Sequence, residues 1–193
     1  MQLPPKLYNW LVRPEWLTNI YINDLLKENF ILKNKDVLDF GCGIGSTSSI
    51  FNPEDYLGID PDQERIKYAQ QLYSDYDFQT LDKSKLDFEA NSFDYILMIA
   101  VLHHIPSDEL RDILQQFHQI LKSTGKIIVI EPCFFSNSYL NNYFMKIMDN
   151  GDYIRNPNQY FKLFQNQYYK VNPIAKYKKM ILYNELFFFA IPA

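Results

Sequence analysis

A short apolar run that breaks on three alternating glycines constrains this chain more than any other feature. Residues 35–40 (KDVLDF) read as a buried strand, and Gly41, Gly43 and Gly45 follow at once in GCGIG. Glycine carries no Cβ and adopts positive φ at no steric cost, so this spacing lets the backbone turn sharply and lets a flat ligand approach it closely. The loop lacks the Lys-Ser/Thr pair that would hold β/γ-phosphates and magnesium in a P-loop. The dinucleotide spacing Gly-x-Gly-x-x-Gly would need glycine where Ser46 stands. Three glycines alone would also serve a bare strand-to-helix turn, so the remainder of the chain has to decide.

The pattern around the loop predicts alternating strands and helices. A leading helix over 15–30 places Leu17, Ile20, Tyr21 and Leu25 on one face. A short helix should follow the glycines to about Phe51, stopped near Asn52-Pro53. Strands are expected at 56–60 and 76–80, with a helix between them over 62–73. Residues 93–99 (FDYILMI) are apolar almost throughout, as a central parallel strand should be. Ser107 caps a helix in which Leu110, Ile113, Leu114, Phe117 and Leu121 recur at helical period, and 126–131 (KIIVIE) is the fifth strand. An amphipathic helix over 138–148 (Leu140, Tyr143, Phe144, Ile147), a short helix from Asn156-Pro157, and strands near 171–180 and 186–191 complete the chain.

Strands and helices in this alternation form an α/β fold: a doubly wound, mostly parallel seven-stranded sheet with helices on both faces and a C-terminal antiparallel hairpin. At 193 residues a single domain is expected. Its parts are an N-terminal helical lid (1–30), a core (35–131), an aromatic-rich cap (132–168) and the hairpin (169–193). A net charge of −4 without a basic block argues against an extended polyanion such as nucleic acid as partner. Two distant cysteines, Cys42 and Cys133, make no disulfide framework and fit a reducing cytoplasm. No apolar run approaches the roughly 20 residues needed to span a bilayer. A cytoplasmic monomer or small homo-oligomer is the expectation.

In sheets of this type, ligands sit outside the carboxyl ends of the strands. Asp60 ends the second strand, where a carboxylate can accept from both hydroxyls of a ribose, although an aspartate before a proline turn also occurs without a ligand. Asp39, just before the first glycine, would repel a pyrophosphate and favour an ammonium group. His103 and His104 follow the fourth strand, and a side chain titrating near neutrality suits a general base there. The alternative is one hydrogen-bonded structural histidine before Pro106 and one solvated histidine. Adjacent histidines lack metal-ligand spacing and no cysteine cluster accompanies them, so no metal is expected. His118, within a helix, reads as a surface residue. Tyr153 and Arg155, in the polar turn DNGDYIR, are candidates for orienting an acceptor, with Arg155 suited to a carboxylate or phosphate. Tyr8, Trp10, Arg13 and Trp16 could close the same mouth or pack on the sheet edge.

The run VLDFGCGIG (37–45) resembles the first motif of class I S-adenosylmethionine-dependent methyltransferases. The resemblance continues through LGID (57–60), Leu81-Asp82, NSFDYIL (91–97), VLHH (101–104) and LKSTGKIIVIE (121–131), in order, over residues 35–131. It implies S-adenosylmethionine as cofactor and S-adenosylhomocysteine as product. By the same likeness Gly41, Gly43 and Gly45 would line the methionine portion, with Asp39 near its ammonium. Asp60 would hold the ribose, Asp82 would bond the adenine amino group, and Met98 would lie under the cofactor. The branch with Leu-His-His after the fourth strand resembles small-molecule methyltransferases, so methyl transfer to the oxygen or nitrogen of a small acceptor is expected. Two alternatives stand beside this reading: a non-catalytic S-adenosylmethionine-binding module working with a protein partner, and a nicotinamide-dependent oxidoreductase. The glycine spacing and Asp39 argue against the second.

Overall fold

The computed structural model describes residues 15–81 and 85–193, and the chain divides into two compact units, Met1–Ser84 and Lys85–Ala193. Helix leads into the first unit in three pieces: α1 (Glu15–Thr18), a π-helical turn (Asn19–Asn23) and α2 (Asp24–Asn29). The wider π turn rotates the buried stripe. Leu17, Thr18, Ile22 and Leu26 point inward, whereas Ile20, expected on the inner face, is half exposed.

In the first unit β1 (Val37–Phe40), β2 (Tyr56–Asp60) and β3 (Asp77–Thr80) run parallel in the order β3-β2-β1. All four residues of β1 are buried, which explains why its sequence does not alternate. The helix expected after the glycines is only a 3₁₀ turn (Ser48–Ile50), closed by Ser48 N–H to the Gly45 carbonyl and Phe51 N–H to the Ser48 carbonyl, both 3.0 Å. A serine-rich segment opening on glycine has too little helix propensity to propagate further. Between β2 and β3 runs α3 (Gln63–Leu72), capped by Asp62, whose carboxylate accepts the amides of Glu64 and Arg65. The Phe78 ring packs edge-on to Tyr56 and fills the space a Cβ would need at Gly58, 2.7 Å away.

The second unit holds β4 (Phe93–Ile99), α4 (Ser107–Ile120), β5 (Leu121–Pro132), α5 (Tyr139–Met148), α6 (Pro157–Gln165), β6 (Tyr169–Lys179) and β7 (Tyr183–Pro192). Its strands lie in the order β4-β5-β7-β6. β4 and β5 are parallel, and β7 is antiparallel to both its neighbours. The last strand therefore inserts between the fifth and sixth, which suits its sequence: residues 184–188 are buried without a break. Phe187 and Phe188, like Phe117 and Phe164, are fully buried and contribute about 1.5–3 kcal/mol each. The fold is thus of the expected α/β class, with seven strands, mostly parallel, and a C-terminal antiparallel hairpin.

Three local readings change. Pro106, not Ser107, occupies the cap position of α4, and the Ser107 hydroxyl accepts from Arg155 at 3.0 Å instead. His118 is not a free surface residue: Nε2 lies 2.6 Å from the Gln167 carbonyl oxygen and the ring stacks on Tyr169 at 4.1 Å. In α5 the expected inner face is turned out. Asn141 and Met145 are buried, while Leu140, Tyr143 and Ile147 are exposed. Asn142 explains the rotation, because it accepts the Phe135 amide and donates to the Phe135 carbonyl, fixing which side faces the protein.

Candidate functional site

The site residues expected from the sequence fall into one group in each unit. In the first, the chain leaves β1 into a loop whose three glycines all have positive φ: 78° at Gly41, 58° at Gly43 and 75° at Gly45. The Gly41 and Cys42 amides both donate to the Ile59 carbonyl, at 2.8 and 3.0 Å, which holds the loop against the end of β2. Asp60 then ties the loop to the strand end: Oδ2 accepts the Gly43 amide and Oδ1 accepts the Asp62 amide, both at 2.9 Å. Burial raises the Asp60 pKa, and the two amides and Arg65 only partly offset it.

The glycines differ in what surrounds them. A Cβ on Gly45 would stand 2.6 Å from the Phe78 ring, so this glycine serves packing as well as φ. Among the described residues other than its chain neighbours, a Cβ on Gly43 would meet nothing nearer than Arg65 Nη1 at 3.9 Å. Gly43 is therefore held to glycine by its φ rather than by packing. Asp39 is buried at the end of β1 and accepts from the Tyr56 hydroxyl at 2.7 Å. Burial first, then the Asp39 charge, push the Tyr56 pKa well up, so its phenol stays a donor. Asp82, with Tyr8, Trp10 and Arg13, lies outside the described residues; Trp16 is exposed.

In the second unit, Met98 is fully buried in β4, paired with Val129. The chain then turns through a 3₁₀ segment (Leu102–His104) that separates the two histidines: His103 is buried and His104 is exposed, their rings 4.0 Å apart. Glu131, wholly buried at the end of β5, organises this turn. Its Oε1 accepts the amides of Val101 and Leu102 at 2.5 and 2.7 Å, and Oε2 accepts the His103 amide at 3.3 Å and faces Nδ1 at 2.8 Å. On the other side of the ring, Nε2 lies 3.5 Å from Asp149 Oδ1. Burial disfavours the imidazolium, but Glu131, Asp149 and Glu185 outweigh it and raise the His103 pKa.

The polar turn 149–155 closes over this histidine. The Gly151 amide donates to Asp149 Oδ1 at 2.6 Å, and a Cβ on Gly151 would sit 2.1 Å from His103 Cδ2. The Tyr153 amide donates to the His103 carbonyl at 2.9 Å, which leaves the phenol partly exposed. Arg155 is buried, and its two Nη nitrogens are committed to four protein oxygens: the carbonyls of Leu102, Tyr153 and Ile105 and the Ser107 hydroxyl, at 2.8–3.1 Å. The guanidinium expected to read an anionic acceptor is thereby engaged in holding the turn. Likewise His103, expected as a base, has a carboxylate oxygen facing each ring nitrogen, and neither oxygen can donate.

Glu131, Asp149, Gly151 and Tyr56 were not singled out from the sequence. Glu131 carried a signal, being an acid that closes an otherwise apolar strand. The others become visible only when the turn is folded onto the histidine. Among the described residues no group of three or more His, Cys, Asp and Glu could hold a metal ion, and no helix is long and apolar enough to cross a membrane.

A family model described as "Methyltransferase domain" matches residues 17–171. The chain is 30% identical over 135 residues to a tRNA U34 carboxymethyltransferase of Aliarcobacter butzleri; the match covers 65% of this chain and 43% of that protein, so this chain spans less than half of that relative. Its fold is similar to a SAM-dependent methyltransferase from Aquifex aeolicus (TM-score 0.73, 17% identity, 98% of this chain and all of the other). It is similar also to the magnesium protoporphyrin IX methyltransferase of Synechocystis PCC 6803, solved with bound SAH (TM-score 0.71, 16% identity, 94% and 85%). A mostly parallel α/β fold, a positive-φ glycine loop tied to an acidic strand end, and a family match over most of the chain agree: this chain belongs to the class I S-adenosylmethionine-dependent methyltransferases.

Proposed function

We propose that this chain transfers the methyl group of S-adenosylmethionine to an oxygen or nitrogen of a small-molecule acceptor. The observation that carries the cofactor half is the glycine loop tied down by Asp60, where, among the described residues beyond the loop's own neighbours, a Cβ on Gly43 would meet nothing nearer than Arg65 Nη1 at 3.9 Å. Gly41, Gly43 and Gly45 would line the methionine portion, with Asp39 supplying a negative charge for its ammonium. Asp60 would take the ribose: each of its oxygens accepts one amide and keeps a lone pair for a hydroxyl. Asp82 would serve the adenine amino group, whereas Met98, expected to line the cofactor, is fully buried in β4 and has no surface for a ligand. Bound there, the sulfonium supplies an electrophilic methyl group, and the protein's work is to align the acceptor in line and exclude water.

On the acceptor side, His104 is the base this reading favours, since it is exposed and stands on the turn that Glu131 fixes. His103 and Arg155 are positioning residues for that turn and for the loop bearing Tyr153, whose phenol would orient the acceptor. Calorimetric titration with S-adenosylmethionine and S-adenosylhomocysteine, with NAD as control, tests the cofactor half. Both sulfur ligands should bind, NAD should not, and Asp60→Ala should abolish binding while the protein stays folded by circular dichroism. No binding by folded wild type rejects the reading. A screen of small hydroxyl- and amino-bearing acceptors beside unmodified tRNA then tests the acceptor class, and methylation of tRNA alone rejects the small-molecule half.

A further inference from the structure

Helix α5 buries Asn141 and Met145 and turns Tyr139, Leu140, Tyr143 and Ile147 to solvent, with Leu140 80% exposed. The tip of the β6–β7 hairpin continues the surface. Asn141 Nδ2 donates to the Ile181 carbonyl at 3.0 Å, and the Ile181 side chain is also 80% exposed, beside an exposed Met180. Isolated exposed apolar residues are ordinary, but a cluster this dense on adjoining elements marks an interaction surface.

The charges around it choose the occupant. Lys146 projects from the same helix stripe, at i+3 from Tyr143 and i+7 from Tyr139. In the hairpin, Lys178 is paired with Asn184, which reaches α5 through Asn142, and Lys176 lies over the Phe135 ring at 5.7 Å; both lysines therefore stand on the α5 side of the strand. No Asp or Glu occurs between Tyr153 and Asn184, nor between Pro132 and Met148, although the whole chain is acidic. Asp149, the nearest acid in sequence to α5, is drawn to His103 and Gly151. The exposed tips are Leu, Ile and Met among tyrosines. Such a mixture matches the acyl–headgroup boundary better than a phosphate backbone or a row of bases, where arginine and stacked aromatics would be expected.

We propose that the outer face of α5 and the Met180–Ile181 hairpin tip form a docking surface for an anionic lipid bilayer, the apolar side chains entering the headgroup boundary and Lys146, Lys176 and Lys178 meeting lipid phosphates. The surface lies outside the glycine loop, so the idea stands or falls separately from methyl transfer.

Sedimentation of the whole protein with vesicles of mixed phosphatidylcholine and phosphatidylglycerol, against phosphatidylcholine alone, tests it. Binding should appear on the anionic vesicles and weaken with salt. It should fall about thirtyfold in Lys176→Ser/Lys178→Ser, from the worth of two lysines beside anionic lipid. It should vanish in Leu140→Asp/Ile181→Asp, changes at exposed positions whose folding circular dichroism checks. Equal binding to both vesicle types, no binding by the wild type, or binding unmoved by either double variant overturns the proposal. Retention on single-stranded RNA, or a dimer broken by Leu140→Asp/Ile181→Asp, does so when vesicle binding is absent.

Discussion

Replacing Glu131 with glutamine tests whether the turn after β4 is built on a buried ion pair. The carboxylate accepts three consecutive backbone amides, from Val101, Leu102 and His103, and faces the His103 imidazole at 2.8 Å. Glutamine keeps one carbonyl oxygen for Val101 and Leu102 but points an NH₂ group at the His103 amide and Nδ1–H, setting donor against donor. Removing one partner of a buried pair costs about 3–5 kcal/mol. At about 2–4 °C per kcal/mol for a chain of this size, the unfolding midpoint should fall by about 6–20 °C. The pH dependence has a definite sign. Burial opposes the charge on His103, but Glu131 and the other carboxylates raise its pKa above that of an unfolded histidine. The protonated form is then favoured in the folded state. Its stabilisation is fully present below about pH 6.5 and is lost as pH rises through the folded pKa. Thermal unfolding by circular dichroism from acid to alkaline pH, on wild type, Glu131→Gln and His103→Gln, reads both effects. Wild type should lose stability as pH rises past about 6.5 and through the folded pKa, and both variants should lose less. A Glu131→Gln midpoint within about 2 °C of wild type, less than 1 kcal/mol costs in a chain this size, would refute the reasoning. So would pH profiles of unchanged slope.

Three further outcomes follow from single contacts. Gly45→Ala should destabilise more than Gly43→Ala, since both are strained at positive φ by about 1–2 kcal/mol but only the Gly45 Cβ would strike Phe78, at 2.6 Å; urea unfolding of both measures the difference, and Gly43→Ala should reveal itself chiefly in weakened S-adenosylmethionine titration. Gly151→Ala should open the 149–155 turn, because its Cβ would lie 2.1 Å from His103 Cδ2, and hydrogen exchange of the Tyr153 amide should accelerate accordingly. Tyr56→Phe removes one hydrogen bond to a buried carboxylate and should cost about 1.5–3 kcal/mol in urea unfolding.

What the sequence determined by itself is the part governed by local spacing. Alternate glycines after an apolar run specify the positive-φ loop, because only residues without a Cβ take three such φ values in five positions. Unbroken apolar strands separated by amphipathic helices specify a mostly parallel α/β fold, because such strands must be covered on both faces. The ordered motifs likewise made the family legible. Direction was not legible. The same apolar residues of α5 read as an inner face, yet Asn142, by holding Phe135, turned that face outward; a helix's periodicity says that it has two sides and not which one the protein takes. The two histidines show the same limit. Adjacent in sequence, they are sorted by Glu131, a partner 28 residues from His103, into one buried and one exposed side chain. Arg155 matched an anion-reading role by residue type until its donors met the backbone carbonyls of the 102–105 turn. Burial and hydrogen-bond partners come from segments distant in the chain, so the roles of ionisable groups, unlike the conformation of the glycine loop, are decided only when those segments fold together.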